Sequence, residues 1–340
     1  MINSRPEVGA RRDFLKRASA MGAAALLGVH HRPAAAEPPP EVSAIRLMRT
    51  PSICLAPSYY AEELLKLEGF SQIEYINSVS SSGAAVVPTG AADISMVPVQ
   101  ETIPDIDAGR SLVLLAGVHS GCYELFGTSS IRAVRDLKDK TIAVSAMRGP
   151  DRVFIASILA YVGMKPEKDV NWLPTGSFAM SMRFFEEGKA DAFLGFPPQP
   201  QQMRARKMGH VILDTGADRP WSQYFCCMIA GNGDFVRKYP IATKRAVRAI
   251  LRASDICAQD PERAARYLVD KGYEAQYETA VEVLKSLPYD RWRQTEPEDT
   301  VRFHALRLRE LGMIKSSPQK IIAEGTDWRF LNELKKELKA

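Results

Sequence analysis

Long apolar runs are missing from this 340-residue chain. None reaches the roughly 18 residues that spanning a bilayer requires, and the mean hydropathy is −0.18. An integral membrane protein is therefore not expected. Catalytic fingerprints are missing as well: there is no G-x-S-x-G, H-E-x-x-H, P-loop or dinucleotide-binding glycine pattern. That argues against an enzyme, and no cofactor is expected. Histidine is scarce, five in all, and the five cysteines include no C-x-x-C, so their spacing fits no zinc pattern. Neither charge sign dominates, with 45 Lys and Arg against 40 Asp and Glu. Of the formal +5, residues 1–36 contribute +4, leaving a nearly neutral remainder with no general attraction for nucleic acid. The basic stretch Lys335-Lys336-Glu337-Leu338-Lys339 reads as the solvated face of a last helix.

What is present is ordinary globular composition, 46% hydrophobic and 25% charged, in a length that suits about two domains. Residues 1–36 read as a targeting segment. Arg11-Arg12 precedes Phe14-Leu15-Lys16, an Ala- and Gly-rich apolar stretch follows over 18–29, and Ala34-Ala35-Ala36 offers small side chains for cleavage. The twin arginine points to the bacterial Tat route and the periplasm. An ordinary Sec signal or a surface helix with chance arginines is the plainer alternative. No cysteine follows the cleavage region, so no lipid anchor is expected there.

Beyond residue 43, strand and helix signals alternate. Strands are expected near 44–48, 73–76, 93–97 and 111–118, with helices over 58–67 and 100–108 and a short one opening at 80–83. This predicts an α/β layer with a mostly parallel sheet. The pattern restarts near 136 with strands at 141–144, 170–173, 190–194, 211–213 and 225–230, and helices over 153–162, 178–187 and 199–207. From 243 onward the spacing is helical over 243–259, 261–271, 273–287, 298–311 and 327–338. Gly90-Ala91-Ala92-Asp93-Ile94 and Gly188-Lys189-Ala190-Asp191-Ala192 repeat one formula at equivalent places in the two units. Common αβ-turn chemistry explains each alone; the repetition favours duplicated architecture.

These two motifs, with Leu67-Glu68-Gly69-Phe70, the run Asp136-Leu137-Lys138-Asp139-Lys140-Thr141-Ile142-Ala143-Val144 and the closing Gly325-Thr326-Asp327-Trp328-Arg329-Phe330-Leu331, span most of the chain in order. In that set the sequence resembles the periplasmic solute-binding proteins of nitrate/sulfonate/taurine-type ABC importers, whose fold is shared by the fungal thiamine-pyrimidine synthase. The resemblance implies a type II periplasmic-binding fold: two α/β lobes joined by two crossing strands, with a helical C-terminal region. Lobe 1 would hold 43–120 and 226–340, and lobe 2 would hold 124–224. It also implies a small-molecule ligand in the inter-lobe cleft and an ABC permease and ATPase as partners; the twin arginine adds the Tat machinery for export, the near-neutral charge leaves no nucleic-acid partner, and a monomer is expected. A small organic anion of the sulfonate or carboxylate class is the expected ligand; a thiamine-type pyrimidine precursor, bound or consumed, is the alternative.

Cleft-facing segments in such a fold are strand C-terminal ends and helix starts: 50–59, 80–83, 97–100, 147–151, 177–178 and 196–197. The candidate ligand residues are Tyr59, Ser80, Ser81, Ser82, Gly83, Pro98, Cys122, Met147, Arg148, Gly149, Phe178, Phe196 and Trp221. Ser80 to Gly83 offer N–H groups and hydroxyls to an oxyanion, unless one serine merely caps a helix. Arg148 suits a bidentate oxyanion clamp, unless it pairs with Asp151. Tyr59, Tyr123, Phe178, Phe196, Trp221 and Tyr224 are candidate apolar walls. Glu101 suits a cationic or amine ligand, or simply a solvated helix start. Cys122, Cys226 and Cys227 fall near the implied crossings, and the pair Cys226-Cys227 sits where the fungal enzyme has a cysteine cluster. Buried free thiols are the default reading, and a disulfide from Cys122 to one of the other two is the alternative.

Overall fold

A computed structural model describes residues 37–50, 52–77 and 85–338. The targeting segment, and Ser80, Ser81, Ser82 and Gly83, lie outside the described residues. Strands β1 (Ala44–Arg49) and β2 (Gln72–Asn77) pair in parallel through the crossover helix α1 (Ala56–Leu67). Beside β1, strands β3 (Ile94–Pro98), β4 (Leu112–Ser120) and β10 (Phe225–Asn232) form an antiparallel sheet with β10 in the middle. In the second lobe, β5 (Glu124–Gly127), β6 (Thr141–Val144), β7 (Asn171–Pro174), β8 (Ala192–Gly195) and β9 (His210–Asp214) make one mixed sheet in the order β7-β6-β8-β5-β9. The chain crosses between lobes at β4–β5 and again between β9 and β10, giving the two-lobed α/β fold with a helical C-terminal region.

The sheet direction corrects one expectation. The first unit is not a mostly parallel sheet: β3 and β4 are both antiparallel to β10, which arrives from far downstream. Every residue of β10 is buried, so it is apolar along its length rather than alternating, as a strand covered on both faces requires.

The repeated Gly-x-Ala-Asp formula has the same structural job twice. Gly90 and Gly188 take φ of +76° and +71°, ending a 3-10 turn (Val87–Thr89) and helix α4 (Phe178–Glu186) respectively. Three residues on, Asp93 accepts the Arg46 amide through its carboxylate at 2.8 Å and donates its own amide to the Arg46 carbonyl at 2.9 Å. Asp191 does the same with Thr141, at 2.8 Å in both directions. Each aspartate thereby fixes its strand against the start of the neighbouring one.

Three further helices face the cleft or flank it: α2 (Val99–Asp107), α3 (Pro150–Tyr161) and α5 (Gln199–Arg206). The C-terminal region comprises α6 (Gly233–Lys238), α7 (Pro240–Gln259), α8 (Pro261–Asp270), α9 (Tyr277–Ser286), α10 (Pro297–Glu310), α11 (Pro318–Gly325) and α12 (Arg329–Glu337). Of these, α6 and α11 have no counterpart in the helices expected from spacing. Each spans only two turns or so, too short to show a convincing period. Helix α7 packs on α1, and its buried residues include the small Ala246, Ala249 and Ala253. The buried Glu68 fixes that contact, accepting two bonds from Arg248 at 2.6 and 2.8 Å. The closing motif ties back to β4, where the Asp327 amide donates to Leu114 at 2.9 Å. Among the described residues no helix is long and apolar enough to cross a membrane.

Candidate functional site

Between the two lobes lies a small, partly open cavity of about 40 Å³. Its walls come from the loop after β1 (Thr50, Ser52, Cys54, Leu55), the end of β3 and start of α2 (Met96, Pro98, Glu101), and the first crossing (Cys122, Tyr123). The start of α4 (Phe178), the end of β8 (Phe196) and β10 (Cys227) complete it. Strand ends and helix starts thus meet there, as the alternation of β and α dictates. Phe178 and Phe196 meet edge to face at 4.8 Å, and buried Gln199 anchors both segments by donating to the Phe178 carbonyl at 2.9 Å. Ser52 reaches across the cleft, donating to the Pro197 carbonyl at 3.4 Å.

At the first crossing two segments of the chain approach closely. Gly121 has φ of +52°, and a Cβ there would stand 2.1 Å from the Gly216 Cα. The next residues are laced together: the Tyr123 amide donates to the Thr215 hydroxyl at 3.0 Å, and that hydroxyl donates to the Tyr123 carbonyl at 2.8 Å.

Of the expected ligand residues, Pro98, Cys122, Phe178 and Phe196 line this cavity. Met147 and Arg148 line a wider groove that shares Glu101 with it. Arg148 is exposed and does not pair with Asp151. The Asp151 carboxylate instead accepts from the Ser145 hydroxyl at 2.7 Å and from the Ser145 and Arg152 amides. Gly149 caps α3 and is buried against Ser145. Tyr59 stands behind the wall: its hydroxyl accepts the Thr50 amide at 2.9 Å, donates to the Thr50 carbonyl, and its ring stacks on Tyr273. Trp221 lines a separate, smaller cavity with Tyr123, Phe154, Cys226 and His304. Thr50, Ser52, Leu55 and Met96 were not singled out by sequence. Thr50 and Ser52 fall in the expected cleft-facing segment 50–59, while nothing in the apolar run around Met96 distinguishes a wall residue from core.

The floor of the cavity holds a cluster of thiols. The sulfurs of Cys54, Cys122 and Cys227 all lie within 4.8 Å of one another. Cys226 joins them, its sulfur 2.6 Å from that of Cys122 and 4.0 Å from that of Cys227. Consecutive strand residues ordinarily point to opposite faces; here irregular register of β10 against β4 at 225–228 lets both sulfurs approach the cluster. All five cysteines are buried and free. His119, opposite Cys227 on β4, is fully buried. Burial alone would lower its pKa, but the Cys227 and Cys54 sulfurs overturn that and lift it to about 10. Burial likewise pushes the Cys122 thiol up, whereas Cys226, stabilised by Cys122 and then Cys227 against its own burial, is pulled down to about 7. Three sulfurs so placed have the geometry to hold a soft metal ion.

No curated protein sequence matches the chain. The profile of the NMT1-like family matches residues 119–269, which include both crossings. Among solved structures, the periplasmic nitrate-binding protein of Synechocystis PCC 6803 superposes with a TM-score of 0.74 at 16% identity, covering 89% of this chain and 90% of that one. The alkanesulfonate-binding protein from Xanthomonas axonopodis pv. citri, bound to MOPS, gives 0.69 at 14% identity over 85% and 99%. The periplasmic aliphatic sulphonate binding protein from Escherichia coli gives 0.66 at 17% over 83% and 92%. The resemblance read from the sequence therefore holds for the fold, that of periplasmic binding proteins.

Proposed function

We propose that this chain is the extracytoplasmic solute-binding component of an ABC importer, closing on a small solute and delivering it to a permease. The observation that carries the reading is the cavity walled by residues of both lobes beside the first crossing. Lobe 1 is taken as 43–120 with 226–340, and lobe 2 as 124–224. The segment 1–36 is taken as a twin-arginine signal that sends a monomer to the periplasm. No catalytic step is part of the proposal, so the solute leaves unchanged.

The solute class is taken as a small organic anion, its apolar part against Phe178 and Phe196 and its charged end toward Arg148 and the start of α3. One observation favours the second reading, a neutral pyrimidine-type heterocycle: among the described residues the cavity is bordered by Glu101 and by no Lys or Arg. A thermal-shift screen over sulfonates, carboxylates, nitrate and pyrimidines tests both. Saturation at a hundred times Kd adds about 2.7 kcal/mol to stability, or roughly 4 °C in Tm for a fold of this size. If every class leaves Tm unmoved, the solute-binding reading is wrong. For an anion, Arg148→Ala weakens affinity several-fold, with a loss that shrinks at high salt. For a heterocycle, Glu101→Gln weakens it and Arg148→Ala does not.

A further inference from the structure

We propose that Cys54, Cys122 and Cys227 form a site for one thiophilic metal ion, Zn(II) or Cu(I), on the floor of the cavity. The three sulfurs come from the loop after β1, the first crossing and β10, and they converge within 4.8 Å of one another. Thiolates bound tetrahedrally to zinc at about 2.3 Å stand about 3.8 Å apart, so closure on an ion needs a movement of about an ångström or less. All three residues line the cavity. An ion held there would have three protein ligands and a further position facing open space, the coordination of an accessible rather than a sealed site. The donors are all sulfur, and among the described residues no carboxylate shares the cluster, which selects soft ions over calcium or magnesium.

A second observation points the same way. His119 is wholly buried, its ring lies against the Cys227 and Cys54 sulfurs, and its Nε2 has no hydrogen-bond partner. Its Nδ1 lies 3.3 Å from the Ser120 carbonyl, which fixes the ring beside the cluster. A buried ring nitrogen beside this thiol cluster makes the floor of the cavity a polar, donor-rich site rather than ordinary apolar core. The competing chemistry is a Cys122–Cys226 disulfide, formed when the two thiols pass two electrons and two protons to dioxygen or to a disulfide oxidant. It would withdraw Cys122 from the set.

The inference does not rest on the solute reading. The thermal-shift screen repeated on metal-free protein tests that reading by itself. For the metal, the full chain is reduced, freed of metal and titrated anaerobically with Zn(II) and, separately, with Cu(I) against a competing chelator. One equivalent of at least one ion should bind. X-ray absorption at the metal edge should show three sulfur neighbours in the unaltered chain. Cys54→Ser and Cys227→Ser should each weaken binding by more than about 100-fold, while Cys257→Ala, remote in α7, leaves it unchanged and the circular dichroism of all three stays native. Fewer than two sulfur neighbours, less than half an equivalent bound, or equal binding by a Cys54→Ser/Cys227→Ser chain would overturn the proposal. So would a Cys122–Cys226 disulfide that forms in the presence of the ion and dioxygen and leaves none retained, seen as a mass lower by two hydrogens.

Discussion

Glu68 is the residue on which the packing of α1 against α7 turns. Its side chain is 8% exposed and that of Arg248 is 10%, so neither charge has much access to water. Breaking such a pair leaves the other charge buried, at a cost of about 3–5 kcal/mol. Arg248 keeps a second contact, to Glu337 at 3.1 Å, but Glu68 also faces Arg245 at 3.6 Å, so Glu68→Ala should fall within that range, read as a drop in the urea midpoint. A loss under half a kilocalorie would mean that Arg248 swings out to solvent. His304 tests burial in another way. Packed among Phe154, Trp221 and Phe303, it has a pKa lowered to about 3 by desolvation, from an ordinary 6.5. Between those values the unfolded chain binds the extra proton and the folded chain does not. Stability contributed by His304 is therefore full above pH 6.5 and falls as the pH drops toward 3, by up to about 1.4 kcal/mol per pH unit. His304→Phe should flatten the difference between urea midpoints measured at pH 7 and pH 5. An unaltered slope would show that the imidazole reaches water in the native state.

At the scale of elements, the crossings set the geometry of the site. At Gly121 an L-residue meets both an unfavourable φ and the backbone of Gly216, so Gly121→Ala must displace one crossing from the other. The strain of such a backbone is of order 1–3 kcal/mol, and the same shift would disturb Tyr123 and Cys122 in the cavity wall. The expected result is a lower urea midpoint together with weakened solute affinity, whereas Gly109→Ala, also at positive φ but with open space around it, should cost stability without touching affinity. Equal affinity in both variants would detach the crossing from the site. These elements also mark what was legible in advance. The strands and the long helices could be read because apolar period is a local property, and the duplicated Gly-x-Ala-Asp formula could be read because the same hydrogen bonds are needed twice. The direction of β3 and β4 could not, since their partner β10 is set by packing over more than a hundred residues. The cavity was half legible for the same reason. Phe178 and Phe196 follow from strand and helix ends, but Cys54, Cys122 and Cys227 have no spacing that announces a cluster, because only the fold brings them together.

At the scale of the whole molecule, the lobes meet across a cavity and are joined by two crossings laced through Tyr123 and Thr215. A ligand touching both walls has more contacts in a closed arrangement than in an open one. That difference is what allows it to shift the balance between them. The Ser52 hydroxyl reaching the Pro197 carbonyl is one contact that exists only while the walls face each other. Its length, 3.4 Å, marks it as weak, worth about 0.5–1.5 kcal/mol at most. Two measurements then have linked outcomes. Small-angle scattering should report a smaller radius of gyration when the solute found by thermal shift is added. Ser52→Ala, which removes the hydroxyl and leaves the chain path intact, should enlarge the radius of the free protein toward an open state and weaken solute affinity by up to about tenfold, the most that one such bond permits. Because a ligand can move the equilibrium only by its differential affinity, the contraction on binding should be larger in Ser52→Ala than in the unaltered chain. A radius that stays fixed in both proteins on saturation would mean that the two lobes form a rigid body, with solute entering a preformed cavity.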